Sequence, residues 1–197
     1  FSKRSLNNDL KIDIVYYNTF TKNEVLPYED PQFPNQVFYN NAGKTKRKGI
    51  EFSGYYDFNN FFRINSSISI GEYLFDEFEK NQENYSGNSI PGIPNNIFIF
   101  DVSYKTNSSL FINISLKKIG KMYANNSNSV KIDSYNLVNL KIGQEIYFKK
   151  IMIKPFLTIN NLFGVNYYDN IRINAFGGRY YEPAPKTTFF GGIKIAF

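Results

Sequence analysis

Cysteine, histidine and tryptophan are all absent from the 197 residues. Without Cys there can be no disulfide framework and no thiolate metal site. Without His the chain lacks the usual general base, the Ser-His and Cys-His nucleophile pairs and the commonest zinc ligand. No catalytic residue, metal site or cofactor is therefore expected, and the sequence does not read as an enzyme. Long apolar runs are missing too: no stretch of about 18 apolar residues could form a membrane-spanning helix. The start "FSKRSLNNDLK" has no apolar signal core and no initiating Met. The chain is expected to be a piece of a longer precursor, or a product whose front has been removed.

Charge excludes less. The net charge is +6, but the basic residues are thinly spread apart from "KTKRK", Lys44 to Lys48. That run reads as a solvated loop edge. Nucleic-acid binding would need a basic face with aromatics in register with it, and none is seen, so no nucleic-acid partner is expected. An outer-membrane hydrolase is disfavoured by the missing His, and the acidic run Asp76, Glu77, Glu79 reads as a solvated loop.

What is present is aromatic. Phe (20) and Tyr (16) supply all of the 18% aromatic content. With Asn and Ile abundant and Ala and Leu scarce, the composition favours strands and turns over helices. Period-2 alternation marks eight strands, at about residues 9–26, 46–58, 61–73, 96–105, 109–119, 132–144, 150–160 and 187–197. Short connections at Asn59-Asn60, Thr106–Ser109 and Glu145–Lys150 alternate with long ones at 27–45, 74–95, 120–131 and 161–186. A meander with tight turns at one end and long loops at the other matches an outer-membrane β-barrel.

The faces support this reading. One face runs Leu10, Ile12, Ile14, Tyr16; Ile50, Phe52, Gly54, Tyr56, Phe58; Phe62, Ile64, Ser66, Ile68, Ile70. It continues through the even positions of residues 98–104, 110–116 and 136–142, then the odd positions of residues 151–159 and 189–197. None of these residues is charged, whereas Lys11, Asp13, Glu51, Asp57, Arg63, Asp101, Lys141, Lys154 and Lys194 fall between them. A Lys or Arg on a lipid-facing wall costs about 2–4 kcal/mol at the midplane, so membrane lipid excludes charge in this way. A soluble antiparallel sandwich also alternates. Against it stand strand lengths closer to a bilayer crossing than to the soluble mode, and aromatic pairs at strand ends (Tyr16-Tyr17, Phe61-Phe62, Tyr147-Phe148, Tyr167-Tyr168) suited to interfacial girdles. Pro155 denies the ladder one bond, and a bulge is expected there.

Several stretches resemble the C-terminal barrel of TonB-dependent outer-membrane receptors: "NNAGKTKRKGIEFSGYY", "SIPGIPNNIFIFDVSYK", "LTINNLFGVNYY" and "GRYYEPAPKTTFFGGIKIAF", in family order over about residues 39 to 197. The Tyr-rich last stretch is most similar to the siderophore and iron-chelate importers. The resemblance implies that residues 1–197 are the C-terminal, eight-stranded portion of an all-β, antiparallel transmembrane barrel of about 22 strands. The upstream strands and an N-terminal plug domain would lie outside this chain. It further implies bacterial outer-membrane localisation, active import of an iron chelate energised by the TonB complex through the plug, and assembly by the barrel-assembly machinery reading Phe197.

On this reading the polar wall (Lys11, Asp13, Glu51, Ser53, Arg63, Asn65, Asn113, Asn139, Lys154) faces plug or water. Candidate ligand-binding residues are Arg172, Arg179, Tyr180 and Tyr181 in the last long loop and Tyr28 and Phe33 in the first, where aromatics can stack on a chelate and Arg can pair with its carboxylates. The segment "RYYEPAP" could equally be a rigid strand extension. Two other functions stay open: a self-contained eight-stranded barrel serving as anchor or adhesin, and an importer of glycans or peptides with a lipoprotein partner.

Overall fold

A computed structural model of the chain describes residues 2–4, 9–30, 32, 33, 36–41, 43–58, 61–80 and 82–197. Eight long strands form its wall: β2 (Leu10–Lys22), β5 (Lys44–Asp57), β6 (Phe62–Glu77), β9 (Asn96–Lys105), β10 (Leu110–Ile119), β13 (Tyr135–Gln144), β15 (Ile151–Asn160) and β18 (Thr188–Ala196). Each pairs antiparallel with the next in sequence, as a meander requires. Two short pieces join the same sheet: β1 (Ser2–Arg4) pairs with β2, and β14 (Ile146–Phe148) continues the line of β13 against β15. All eight expected strands are present, and β1 adds an edge beyond them. Among the described residues β18 does not pair with β1 or β2, so this sheet stays open.

The register confirms the proposed faces across the whole wall. Ile14 lies opposite Phe52, Phe52 opposite Ile68, Ile68 opposite Phe98, Val102 opposite Ile114, Ile114 opposite Leu140, Leu140 opposite Ile159 and Ile159 opposite Phe189. This continuous apolar face is open: Ile50 is 53% and Ile193 67% exposed. No second sheet among the described residues covers it, which removes the sandwich alternative. At the short-turn end it closes on Tyr56, Phe58, Phe62 and Tyr104, with the last two rings 4.7 Å apart. At the long-loop end charge returns to it, with Lys46 over the Phe20 ring, Lys48 paired to Glu72 at 2.7 Å and Lys118 over Phe98.

Five sequence expectations need correction or qualification. Lys44–Lys48 and Asp76-Glu77 are not loop: they are the paired long-loop ends of β5 and β6, with Thr45 only 1% exposed. The first strand ends at Lys22 rather than residue 26, because Asn23 turns to φ 60° and donates its N–H to Gly43 O. Pro155 introduces no bulge: Gly143 faces Phe156 and Ile146 faces Ile153, so the pairing pauses beside the proline and resumes in the same register with no residue inserted. The aromatic pairs are not all girdles. Tyr17 turns inward to bond the Tyr73 hydroxyl, Tyr167 packs on Tyr135, and Tyr168 stacks on Tyr181 in an outer loop. The turn at Asn59-Asn60 lies outside the described residues.

Glycines let the inner wall carry large rings. A Cβ at Gly49 or Gly71 would collide with the Tyr17 hydroxyl, and one at Gly192 would meet the Phe156 ring at 2.7 Å. Each ring lies flat across a neighbouring strand where no side chain stands.

Candidate functional site

The long connections are structured. They contain four small hairpins: β3 (Val25–Glu29) with β4 (Val37–Asn41), β7 (Glu79–Lys80) with β8 (Glu83–Asn84), β11 (Met122–Tyr123) with β12 (Lys131–Ile132), and β16 (Tyr168–Ile171) with β17 (Tyr181–Pro183). A single 3₁₀ turn, Phe176–Gly178, lies in the last.

These loops bend over the inner wall. Phe75, Ile97, Ile119 and Tyr135 are inward-facing residues at the long-loop ends of their strands. Phe75 is 1% exposed, beneath Leu26, Phe78 and Ile90, while Ile119 is buried with Met122, Ala124 and Ile132. Burying such a side chain stabilises the loop layer by about 1.5–3 kcal/mol. Apolar residues in the loops therefore pull them inward over the mouth.

Asparagines stitch the loops together. Asn174 Nδ2 donates to Pro27 O in the first loop and to Asn126 Oδ1 in the third, and its Oδ1 accepts from the Asn126 N–H. Asn88 Nδ2 in the second loop donates to Asn126 O, and Ser89 and Asn128 exchange two bonds of 2.8 and 2.9 Å. Asn128 and Asn174 adopt φ of 56° and 53°, a left-handed conformation that Asn tolerates better than branched residues. Asn174→Ala removes the side-chain bonds at a strained position. It is expected to loosen all four loops together by about 1–3 kcal/mol, read as faster amide hydrogen exchange in segments 25–41 and 122–132 as well as around residue 174. Faster exchange confined to the last loop would show that the loops are not coupled.

A second asparagine braces the base of the last loop. The side chain of Asn161, 3% exposed, accepts from the Val165 N–H and donates to Val165 O, and its backbone N–H donates to Asn139 Oδ1 of β13. Thr187 Oγ1 donates to its carbonyl, which ties the end of β15 to the start of β18.

Where the four loops converge, a cavity of about 270 Å³ is lined by Tyr28, Lys80, Tyr85, Asn125, Asn126, Ser127, Asn174 and Tyr180. Lys80 Nζ sits 3.7 Å above the Tyr28 ring. Burial pulls the Lys80 ammonium below its ordinary pKa, opposed by the charge of Asp30. Tyr85 donates to Glu83, and that bond, with partial burial, pushes its phenol up to about 12. At neutral pH Tyr85 is thus a neutral phenol. The cavity offers one cation, three phenol rings and several amides, a set suited to an anionic, partly aromatic ligand.

Of the six candidate residues, Tyr28 and Tyr180 line this cavity. Arg172 is held by Glu182 at 2.7 Å, a contact that, with Asn170, keeps the Glu182 carboxyl below its usual range. Arg179 Nε donates to Phe176 O, Tyr181 stacks on Tyr168 at 4.4 Å, and Phe33 packs on Phe38 at the first hairpin. These four stand in the same loops without lining the cavity. Lys80, Tyr85, Asn125, Asn126, Ser127 and Asn174 were not anticipated. The Asn-rich run "ANNSNS" was the available signal for three of them.

A larger hollow of about 770 Å³ lies on the inner wall toward the short turns, between Arg63, Lys105, Phe111, Lys141, Glu145 and Lys154. It opens along a sheet that does not close.

Comparison with known proteins gives this architecture its place. The family model described as TonB dependent receptor-like, beta-barrel matches residues 2–166. The fold matches the siderophore receptor PiuA from Acinetobacter baumannii with a TM-score of 0.78 at 18% identity, covering 99% of this chain and 27% of that one. The ferric yersiniabactin uptake receptor FyuA from Yersinia pestis matches with a TM-score of 0.73 at 18% identity, covering 100% of this chain and 29% of that one. The copper transporter OprC matches with a TM-score of 0.69 at 14% identity, covering 94% and 27%. The chain thus spans little more than a quarter of the structures it resembles, as an open segment of a larger barrel wall would. By its family match and by its fold, this chain belongs to the TonB-dependent receptor-like β-barrel family.

Proposed function

We propose that the chain is the C-terminal wall of a bacterial outer-membrane receptor that captures an anionic metal chelate, a ferric siderophore foremost, and imports it with energy delivered through TonB. The observation that carries this reading is the cavity at the junction of four inward-folded loops, with Lys80 set over Tyr28 and beside Tyr85 and Tyr180. Siderophore receptors among the structural neighbours support the same cargo class. The lining supplies no imidazole, thiol or thioether, so it suits a complete chelate better than a bare copper ion. Arg172, Arg179, Tyr181 and Phe33 flank the cavity and would contact a ligand larger than it.

The other parts of the machine, the plug and the remaining strands, belong to the rest of the receptor. The test is uptake of labelled ferric chelate by cells with and without the receptor, and with TonB inactivated. Loss of uptake in both mutants is expected, and full uptake in either one contradicts the reading.

Phe197, wholly exposed after β18, is proposed as the residue read by the barrel-assembly machinery. Its deletion is expected to lower the amount of heat-modifiable receptor in the outer membrane, and an undiminished amount would remove that role.

A further inference from the structure

The basic run of residues 44–48 takes no part in the loop cavity, and strand alternation divides it between two faces. Thr45 and Arg47 turn inward to Glu24, whose carboxylate accepts from Thr45 Oγ1 at 2.9 Å and from Arg47 Nη2 at 2.5 Å. Lys44, Lys46 and Lys48 turn outward, on the face that Ile50 and Phe52 continue. Lys22 joins them from β2, directly opposite Lys44, and Lys118 stands outward on β10 beside Phe98. Among the described residues, these lysines with Glu72 and Glu77 are the charged groups that the register turns outward on the eight long strands. All lie at the long-loop end, whereas the short-turn end of the same face finishes on aromatic rings. Lys48 takes Glu72, and Lys44 takes Glu77 with Asp76 close by, each pair at 2.7 Å. Lys22, Lys46 and Lys118 have no carboxylate partner among the described residues, and the last two rest on the Phe20 and Phe98 rings. Lys22 and Lys44 face each other across the ladder, a like-charge contact that is destabilising until an anion joins it.

We infer that this band is a seat for the phosphates of anionic lipid headgroups in the membrane leaflet on the long-loop side. The inference rests on reading the apolar face as the lipid-facing wall. Headgroups begin where that face ends, and the band follows it without a break, Lys48 and Glu72 standing next after Ile50 and Ile70 on the same two strands. Outward residues two apart on a strand are about 6.6 Å apart, so Lys44, Lys46 and Lys48 spread their ammonium groups over about 13 Å of wall. Lysine stems lie along apolar surface while their heads reach the headgroup layer, and an anionic layer attracts them. A phosphate between Lys22 and Lys46 bridges the lysines that lack a carboxylate. Phe20, 63% exposed beside both, gives the same lipid an apolar contact that a free phosphate ion would not use. Charge at one end of the face alone fits a membrane whose anionic headgroups are concentrated in one leaflet.

Native mass spectrometry of the full-length receptor tests this. Receptor in detergent micelles is incubated with equal amounts of dioleoyl phosphatidic acid and dioleoyl phosphatidylcholine, and the retained lipid is counted. Phosphatidic acid is expected to be retained about tenfold over phosphatidylcholine. The preference should fall to near parity in the Lys22→Gln/Lys46→Gln variant and persist in Lys149→Gln/Lys150→Gln, at the short turn between β14 and β15. Heat-modifiable migration shows that each variant has assembled. Equal retention of the two lipids by wild type, or an unchanged preference in Lys22→Gln/Lys46→Gln, overturns the seat. The preference should also survive EDTA and millimolar inorganic phosphate. Loss to EDTA would mean that a divalent cation on the carboxylates holds the lipid, and loss to inorganic phosphate would mean a site for free anions; either overturns the seat as well. Ferric chelate binding by the same proteins reports on the loop cavity, so failure of the seat and failure of the proposed cargo can be told apart.

Discussion

Ile114→Lys is expected to destabilise the assembled receptor by about 2–4 kcal/mol, whereas Ser115→Lys, one residue along, is expected to cost little. Ile114 lies in mid-strand between Val102 and Leu140 on the outward face, where its side chain is 45% exposed in the isolated wall. In a bilayer that exposure is to hydrocarbon, and an ammonium there has no partner and little water. Ser115 points the other way, between Asp101 and Asn139, so a lysine there gains a carboxylate neighbour. Refolding of full-length variants into lipid vesicles across a urea series measures both. Similar losses for the two variants would mean that the outward face does not meet lipid.

The second large effect is at the mouth. Tyr180→Ala and Lys80→Gln together are expected to weaken ferric chelate binding by tenfold or more, a loss of at least about 1.4 kcal/mol. Tyr180 is a partly buried ring packed against the cluster of Ile119, Met122, Ala124 and Ile132 while presenting itself to the cavity, the placement of an aromatic anchor. Lys80 supplies the one cation of the lining. Tyr180→Phe keeps the ring and should bind nearly as wild type, and Phe33→Ala, outside the lining, should have a smaller effect. Equilibrium titration of purified receptor by quenching of intrinsic fluorescence reads all of them. Unchanged affinity in the double variant would place the ligand elsewhere among the loops.

The wall was legible from sequence because its rule is local. Alternation along one strand, such as Ile12, Ile14 and Tyr16 against Lys11, Asp13 and Val15, already separates an apolar face from a charged one, and the short turns set each strand against its neighbour. Pro155 misled because a missing donor suggested a distorted ladder, yet the pairing resumes beyond it without changing register. The Tyr pairs misled because composition at a strand end does not reveal whether the chain then folds back inward, as it does at Tyr167.

The mouth was only half legible, since its contacts join residues far apart in the chain. Asn174 reaches Pro27 across 147 positions, and Lys80 meets Tyr28 from a different loop. Tyr28 and Tyr180 could be picked as loop aromatics, but nothing local to Lys80, Asn126 or Asn174 marks them as partners of those rings. Bulk and charge drew attention to Arg172, whose charge is instead directed to Glu182 across its own hairpin.

Single cysteines placed in turn along β10, from Leu110 to Ile119, test most directly whether this sheet is a lipid-facing barrel wall. The segment has no native cysteine to confuse the reading. Full-length receptor in lipid bilayers is treated with a membrane-impermeant maleimide and, separately, with a lipid-soluble quencher. Positions 112, 114 and 116 should resist the maleimide and be quenched from the lipid, while positions 113, 115 and 117 should escape the quencher. Loss of that two-residue period, or its inversion, would contradict the fold, the orientation of its faces and the function proposed from them.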